Sequence, residues 1–563
     1  MSMPPVEFRA AVVQTLAALG DVEENIRLLK TYTREAVRQN ARLVVFPECM
    51  NTGYLFDSKA HCADLAELVS GRYVSAMAEL CRTHNIHMAS GFTERDETSG
   101  KIFNSGLLLD PAGDLILHYH KQFLATHDQN WFEFGENGCP VVDTELGRIG
   151  LLICFDGRIP EIARCLALQQ ADIVVDMANF FAMDQADLWV PARAYENGMW
   201  FVAATKSGVE RSIYYPGGSM IVSPDGDIAA RIPCDRHGVV SAAVCPGAAR
   251  KKQWFISGDR FLDRRPDTYA MIQQPVAETP LNDILATPLV PESATTKGAA
   301  VQAHATQAPA SLDEAIAMVD HTAKLGVKVL VLPQFFSLPT WLPNQAEAET
   351  AQKEMAGVRR QLSAIASSHK TIIVVPGFDA AADGLVQSAV IIGPDGEEIG
   401  RYHQVHPEPE IRAFVVPGDR FSVFETPYGR LGILLGYDGM FPEASRVLSL
   451  MGADMIAWSS AWRDPKDRSL LVVPKAEDNR IFLICANRTD SPCPGGSLVV
   501  PPTGFPHWDL TVSAPPNSRH GAVMPGFVNL ALARQKSMIP GVDMLRNRMV
   551  HTYGPIVETA PTR

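Results

Sequence analysis

The sequence has no Lys/Arg-rich run, and its 50 basic residues are outnumbered by 63 acidic ones, for a net charge of −13. That balance disfavours nucleic acid and anionic membranes as partners. No apolar stretch reaches the length that spans a bilayer, so no membrane partner is expected. The opening Met1-Ser2-Met3-Pro4-Pro5-Val6-Glu7 lacks the basic and apolar regions of a signal peptide. The ten cysteines include no Cys-x-x-Cys pair and no Cys/His cluster at zinc spacing. No metal and no cofactor are therefore expected. Free thiols in a reducing cytoplasm are the natural reading, most of them as small buried apolar residues.

What is present is an ordinary globular composition, 46% apolar and 20% charged, over 563 residues. That length is too great for one core. The chain also repeats itself. Phe46-Pro47-Glu48 follows Leu43-Val44-Val45, and Leu332-Pro333-Gln334 follows Val329-Leu330-Val331. His118-Tyr119-His120-Lys121 answers to Arg401-Tyr402-His403-Gln404, and the segment Ile149 to Gly157 answers to Leu431 to Gly439. Pro160-Glu161 answers to Pro442-Glu443, Pro216-Gly217-Gly218-Ser219 to Pro494-Gly495-Gly496-Ser497, and Asp267-Thr268-Tyr269 to His551-Thr552-Tyr553. The order is kept and the offset drifts slowly, which marks a duplication. A stretch rich in proline and small polar residues separates the copies and reads as a linker. The expected organisation is a first domain over 1–275, a linker over 276–297 and a second domain over 298–563.

Within each copy short apolar strands alternate with helical patterns. Asp21 with Glu24, and Ser311 with Glu314, have the spacing of a capping box before apolar residues at helical intervals. Strands are expected at Leu43–Phe46, His87–Gly91, Gly106–Leu109, Ile149–Ile153 and Ile173–Val175. Asp110-Pro111-Ala112-Gly113 and Ser223-Pro224-Asp225-Gly226 read as hairpin turns. The result is an α/β architecture with antiparallel pairs mixed in. Glu48, Lys121 and Cys154 each stand just beyond an apolar strand, where α/β sheets usually place their chemistry.

Taken singly, these three read as an exposed glutamate, a surface lysine and a packed cysteine. Taken together, the Pro-Glu strand end, the Tyr-His-Lys segment and Gly-Leu-Leu-Ile-Cys-Phe-Asp-Gly-Arg-x-Pro-Glu, in this order, resemble the nitrilase superfamily of carbon–nitrogen hydrolases. Tyr195-Glu196-Asn197 and Pro-Gly-Gly-Ser also fit, and the resemblance covers nearly the whole chain twice. It implies two tandem α-β-β-α sandwich domains, expected to form an intrachain pseudo-dimer. It implies that Cys154 attacks a carbonyl carbon to give a thioester. Glu48 would act as general base and acid, and Lys121, with the backbone N–H of Phe155, would support the oxyanion.

The family often carries a second acid before a Phe-x-x-Gly segment. Asp128 occupies the matching place and Glu133 is nearby. The shorter aspartate departs from the family's pattern. Arg158 fits a carboxylate-binding role or a structural ion pair. Phe180, Phe181 and Trp189 fit the wall of an acyl pocket or plain core packing.

In the second copy Gln334, Gln404 and Gly436 replace Glu48, Lys121 and Cys154. Glutamine is no base at neutral pH and glycine has no nucleophile. The second domain is therefore expected to be folded and inactive, as a buttress for the first or as a regulatory pocket. Cys-Phe-Asp resembles the pattern of amidases and carbamoyl hydrolases more than that of nitrilases. The expected activity is hydrolysis of an amide or N-carbamoyl (ureide) compound by water, without cofactor. Nitrile hydrolysis and a non-catalytic scaffold are the alternatives. Pairing of whole chains through Met524–Tyr553 would give a homo-oligomer.

Overall fold

The computed structural model describes residues 7–125, 127–254, 257–287, 295–302, 309–490, 492–503, 508–509 and 521–559. Two compact units result. Unit 1 comprises Met1–Lys252 with Ser537–Asp543 and Asn547–Arg563, and unit 2 comprises Gln253–Lys536 with Met544–Arg546.

The strands of unit 1 are β1 (Phe8–Gln14), β2 (Ala41–Val45), β3 (His87–Arg95), β4 (Ile102–Leu109), β5 (Leu115–His120), β6 (Val141–Thr144) and β7 (Gly147–Ile153). They continue as β8 (Ile173–Ala178), β9 (Trp200–Thr205), β10 (Ser207–Glu210), β11 (Ile213–Pro216), β12 (Met220–Val222), β13 (Ile228–Arg231) and β14 (Gly238–Val244). One sheet has the order β14-β1-β2-β3-β4-β5, the other β13-β12-β9-β8-β7-β6, and β10 pairs with β11 as a hairpin. Strands joined by helices run parallel, as β1 with β2 and β7 with β8. Strands joined by tight turns run antiparallel, as β3 with β4 and β4 with β5. The two expected turns join β4 to β5 and β12 to β13, with Gly113 at φ +80° and Gly226 at φ +76°.

The helices of unit 1 are α1 (Val22–Arg38), α2 (Lys59–Leu65), α3 (Arg72–His84), α4 (Asp128–Trp131), α5 (Pro160–Leu168) and α6 (Val190–Asn197). Asp21 caps α1 through its side chain, which accepts from the Glu24 N–H at 3.0 Å. Glu24 does not reciprocate, because its carboxylate is taken by Arg27 on the next turn at 2.5 Å. Leu29, Ala36, Tyr73, Met77 and Leu80 of α1 and α3 bury against Val44, Met88 and Leu107 of the first sheet. On the second sheet, Gly150 of β7 lets Leu166 of α5 lie close over the strand. The two sheets close on each other at Gly106 of β4, where any side chain would meet Met177 of β8. The layering is α-β-β-α, with the central strands buried and the edge strands β6 and β13 partly exposed.

Unit 2 repeats the two six-stranded sheets in the same strand order, without a counterpart of the β10–β11 hairpin among its described residues. Its sheets run Glu398–His403, Gly384–Ile392, Ile372–Ala381, Val329–Val331, Thr295–Gln302, Ala522–Asn529, and Val423–Thr426, Gly429–Leu435, Met455–Ser459, Phe482–Ala486, Leu498–Val500, Trp508–Asp509. The helix carrying the second capping pattern spans Pro309–Lys324. The Ser311 side chain lies outside the described residues.

The stretch expected as a linker is in part structured. Val276–Glu278 and Pro280–Ala286 are helical, and Val276 and Leu281 bury with Leu450 and Leu545. Its prolines mislead: Pro280 takes the first position of a helix, which needs no N–H there. Residues 288–294 lie outside the described residues. The contact boundary falls at Lys252, not near 275, and residues that follow each repeat's last strands pack with the other repeat. In unit 1 Arg548 meets Glu161 at 3.3 Å, and in unit 2 Arg264 meets Glu443 at 2.8 Å, all four side chains buried. These are the two glutamates of the repeated Pro-Glu motif. Among the described residues, no helix is long and apolar enough to cross a membrane.

Candidate active site

Three strand ends deliver the chemistry. β2 leads into Glu48, whose backbone passes over Gly91 of β3. A Cβ at Gly91 would run into the Glu48 backbone, so the close approach requires glycine. β5 leads into Lys121, whose N–H donates to the Asn104 carbonyl at 2.9 Å. β7 leads into Cys154, which opens a 3₁₀ turn over Cys154–Arg158. Cys154 has φ +53°, a left-handed conformation uncommon for a residue with a side chain. Its N–H donates to Asp176 Oδ1 at 2.9 Å.

Lys121 Nζ lies 2.7 Å from Glu48 Oε1 and 2.8 Å from Asp128 Oδ2, and all three side chains are buried. Asn104 Nδ2 donates to the same Glu48 oxygen at 2.6 Å. The Tyr54 hydroxyl donates to Asp128 Oδ1 at 2.9 Å, and the Ala125 N–H donates to Asp128 Oδ2 at 3.1 Å. Asp128 thus joins Glu48 around the lysine. Glu133 does not: it is partly exposed and pairs with Lys59 at 2.8 Å. Its backbone N–H bonds the Ile102 carbonyl at the end of the β4 edge, which places its side chain outside the cluster.

The electrostatics follow from burial. Burial raises the Glu48 carboxyl above the ordinary value and outweighs the attraction of Lys121, with the Asp128 charge adding to the rise. Burial alone would push Lys121 down, but Asp128 and Glu48 hold it well above its usual value, so it stays charged. Burial and then the Glu48 charge push the Cys154 thiol up, against Lys121 and an N–H from Asn179. The resting sulfur is therefore a thiol near the Glu48 carboxyl, not a free thiolate. Burial also raises Asp176, against the N–H it accepts from Cys154.

The remaining expected residues stand around the nucleophile. Phe155 follows Cys154 in the 3₁₀ turn, and its ring stacks on Phe123 with centroids 5.3 Å apart. Arg158 pairs with Asp184 at 2.7 Å and lies over the rings of Phe155 and Trp189, each 5.3 Å from its centroid. It is an arginine paired with an acid that also borders a small cavity beside Cys154. Phe180, Gln185 and Trp189 line the same cavity. Phe181 packs on Tyr215 and Tyr54 instead.

Tyr54, Asn104, Asp176, Asn179 and Gln185 escaped the sequence reading. The repeat held a signal for some of them. Asn104 matches Gln387, and Asp176 of β8 matches Trp458, so these positions change along with the three marked ones. The Asn179 side chain has both polar atoms buried without a hydrogen-bond partner among the described residues, as has the Trp189 indole N–H.

In unit 2 the matching space is filled. Gly436 keeps the left-handed conformation, with φ +41°. A Cβ there would run into the Glu408 carboxylate and the Gln334 amide. Gln334 Nε2 donates to Glu408 Oε1 at 2.6 Å, and Gln404 Nε2 donates to Glu408 Oε2 at 3.2 Å. Burial lifts the Glu408 carboxyl to about 7. Trp458 donates its indole N–H to the Gly436 carbonyl at 3.0 Å.

The carbon–nitrogen hydrolase family model matches residues 9–252 and again 297–506. A nitrilase of Pyrococcus abyssi is 30% identical over 262 residues, 46% of this chain and 98% of that protein. A formamidase of Helicobacter acinonychis is 28% identical over 233 residues, 39% of this chain and 69% of that protein. The solved structure of an amidase from Nesterenkonia sp. is 22% identical with a TM-score of 0.39, covering 44% of this chain and 94% of that one. With two matches that together span most of its length, the chain belongs to the carbon–nitrogen hydrolase family, and it is a hydrolase.

Proposed function

We propose that unit 1 hydrolyses a small non-peptide amide or N-carbamoyl compound through a thioester on Cys154. The observation that carries this reading is Lys121, held charged between two buried carboxylates beside a buried cysteine in a left-handed turn. Glu48 takes the thiol proton as sulfur attacks the carbonyl carbon, and Lys121 with the Phe155 N–H faces the oxyanion. When the C–N bond breaks, Glu48 returns that proton to the leaving nitrogen, releasing ammonia or an amine. Glu48 then takes a proton from water, and the hydroxide displaces the sulfur to give the acid and the free thiol. Asp128 anchors Lys121. The narrowness of the cavity beside Cys154, walled by Phe180 and Trp189, favours a short acyl group.

Unit 2 takes no part in the chemistry on this reading, since it lacks nucleophile, base and cation, and Glu408 with Gln334 occupies the space. That favours a structural role over a ligand pocket. Nitrile hydrolysis by the same site is the second reading, supported by relatives named nitrilase. Ammonia release from a panel of short amides, N-carbamoyl compounds and nitriles, with Cys154→Ala as control, separates these. Release from amides or ureides that the variant abolishes supports the first reading. Release from nitriles alone supports the second, and release from none supports a scaffold.

A further inference from the structure

Outside this site, one cluster of side chains has the composition of a ligand set. His118 and His120 are two residues apart on β5, so both rings stand on one face of the strand. Glu94 reaches them from β3. Its Oε2 lies 2.6 Å from His118 Nε2 and 3.2 Å from His120 Nε2. One ligand atom from each residue fits within a 4.8 Å span. Around zinc at ordinary bond lengths, tetrahedral ligand atoms stand about 3.3 Å apart, so little movement is needed to receive an ion.

We propose that Glu94, His118 and His120 form a binding site for a divalent transition metal ion, with zinc the natural fit for two imidazoles and a carboxylate. Each imidazole ligates through Nε2 as its neutral Nδ1–H tautomer, so a proton held on Nε2 moves to Nδ1, or leaves to solvent if the ring is cationic. The fourth position opens toward water, because the His118 side chain is 33% exposed while Glu94 is buried.

The surroundings fix the ligands as metal sites require. The Ser105 hydroxyl donates to Glu94 Oε2 at 2.5 Å from β4, the strand between. The Phe103 ring stacks flat on His120, centroids 4.0 Å apart and planes within 4°. The two imidazoles stand at 90° with centroids 4.7 Å apart, so their ring planes do not stack.

Unit 2 shows what the same position looks like when one imidazole is replaced by arginine, with His403 kept in the place of His120. Asp379 stands in the place of Glu94, Ser388 in that of Ser105 and Arg401 in that of His118. Asp379 is held by Arg401 at 2.6 Å and by Arg359 at 2.9 Å. A carboxylate that needs only a cationic partner is satisfied by arginine, which cannot ligate a metal. Unit 1 places the His118 imidazole there instead. An ion here would tie β3 to β5 one residue before Lys121.

The test uses the full chain, stripped with chelator and titrated with Co²⁺ alone, then with Zn²⁺ in competition. The expected result is one Co²⁺ per chain with the visible absorption of nitrogen and oxygen ligands, displaced by one Zn²⁺. Glu94→Gln and His118→Arg should each weaken binding at least about tenfold. The second copies the residue unit 2 carries on its matching strand, so the fold has a precedent for it. X-ray absorption of the zinc-loaded wild type gives a check free of any variant. It should show nitrogen and oxygen neighbours at about 2.0–2.1 Å, not sulfur at about 2.3 Å. No stoichiometric binding, unchanged affinity in both variants, or a sulfur shell would each overturn the site.

Discussion

Lys121 Nζ stands 2.7 Å from Glu48 Oε1 with both side chains buried, and Asp128 completes the lysine's shell at 2.8 Å. The cluster carries two carboxylates and one cation. Removing the cation leaves two carboxylates facing each other without water. Lys121→Met should therefore cost about 3–5 kcal/mol in denaturant unfolding as well as abolish ammonia release. Cys154→Ala should abolish release and leave the unfolding midpoint in place, since it removes no charge. Equal loss of stability in the two variants would mean that the lysine's charge is not held by this cluster.

Glu48→Gln should lower kcat by about 10²–10⁴ with the fold intact, the range for loss of a general base. Asp128→Asn should cost less, because the Tyr54 hydroxyl can still reach it and Glu48 still faces Lys121. If Asp128→Asn proves as damaging as Glu48→Gln, the aspartate acts directly on the substrate and is more than an anchor.

Activity should also show the raised Glu48 carboxyl. A base works only when unprotonated, so the rate falls as pH drops through its titration. Burial places that titration above the ordinary glutamate value of about 4.3. Lys121, held well above its usual value, sets no limb in the neutral range. The acid limb of the kcat/KM profile should thus lie above pH ~4.3, and a limb at or below it would remove Glu48 from the base's role.

Much of this was legible in the sequence for a physical reason. The apolar strands and the residues that follow them repeat in order, which showed the duplication, and the resemblance of those segments to the nitrilase superfamily singled out Glu48, Lys121 and Cys154. Helix starts were legible where a side chain does the capping, as at Asp21. The sequence does not reveal contacts made by residues distant in the chain. Tyr54 and Asn104 reach Asp128 and Glu48 only after the sheets pair. The His118–Glu94 contact needs β3, β4 and β5 in register. The packed helix at Pro280–Ala286 hid behind its prolines, and the pairing of Arg548 with Glu161 joins residues 387 positions apart.

Restoring a cysteine to unit 2 should not restore chemistry. Gly436→Cys places a side chain into the Glu408 carboxylate and the Gln334 amide, in a left-handed turn. Overpacking at a buried site should cost about 1–3 kcal/mol. No new ammonia release is expected when the change is made in a Cys154→Ala background. Activity there would show that the unit 2 site opens enough to bind substrate.

The Pro-Glu glutamates test whether either repeat stands alone. Glu161 sits on α5, directly after the turn that carries Cys154, and its partner Arg548 arrives from the last residues of the chain. Tyr553, from the same segment, is buried in unit 1 as well. A fragment of residues 1–275 would keep Glu161 and lose both. Loss of the buried Arg548–Glu161 ion pair and of the Tyr553 packing should make the fragment unfold at lower denaturant than the full chain and lose activity with it. Arg548→Ala in the full chain isolates the charge and should cost about 3–5 kcal/mol. Arg264→Ala should do the same to Glu443 while leaving ammonia release nearly untouched, because that pair lies wholly in unit 2. A soluble, fully active 1–275 fragment would show that the first repeat needs nothing from the second.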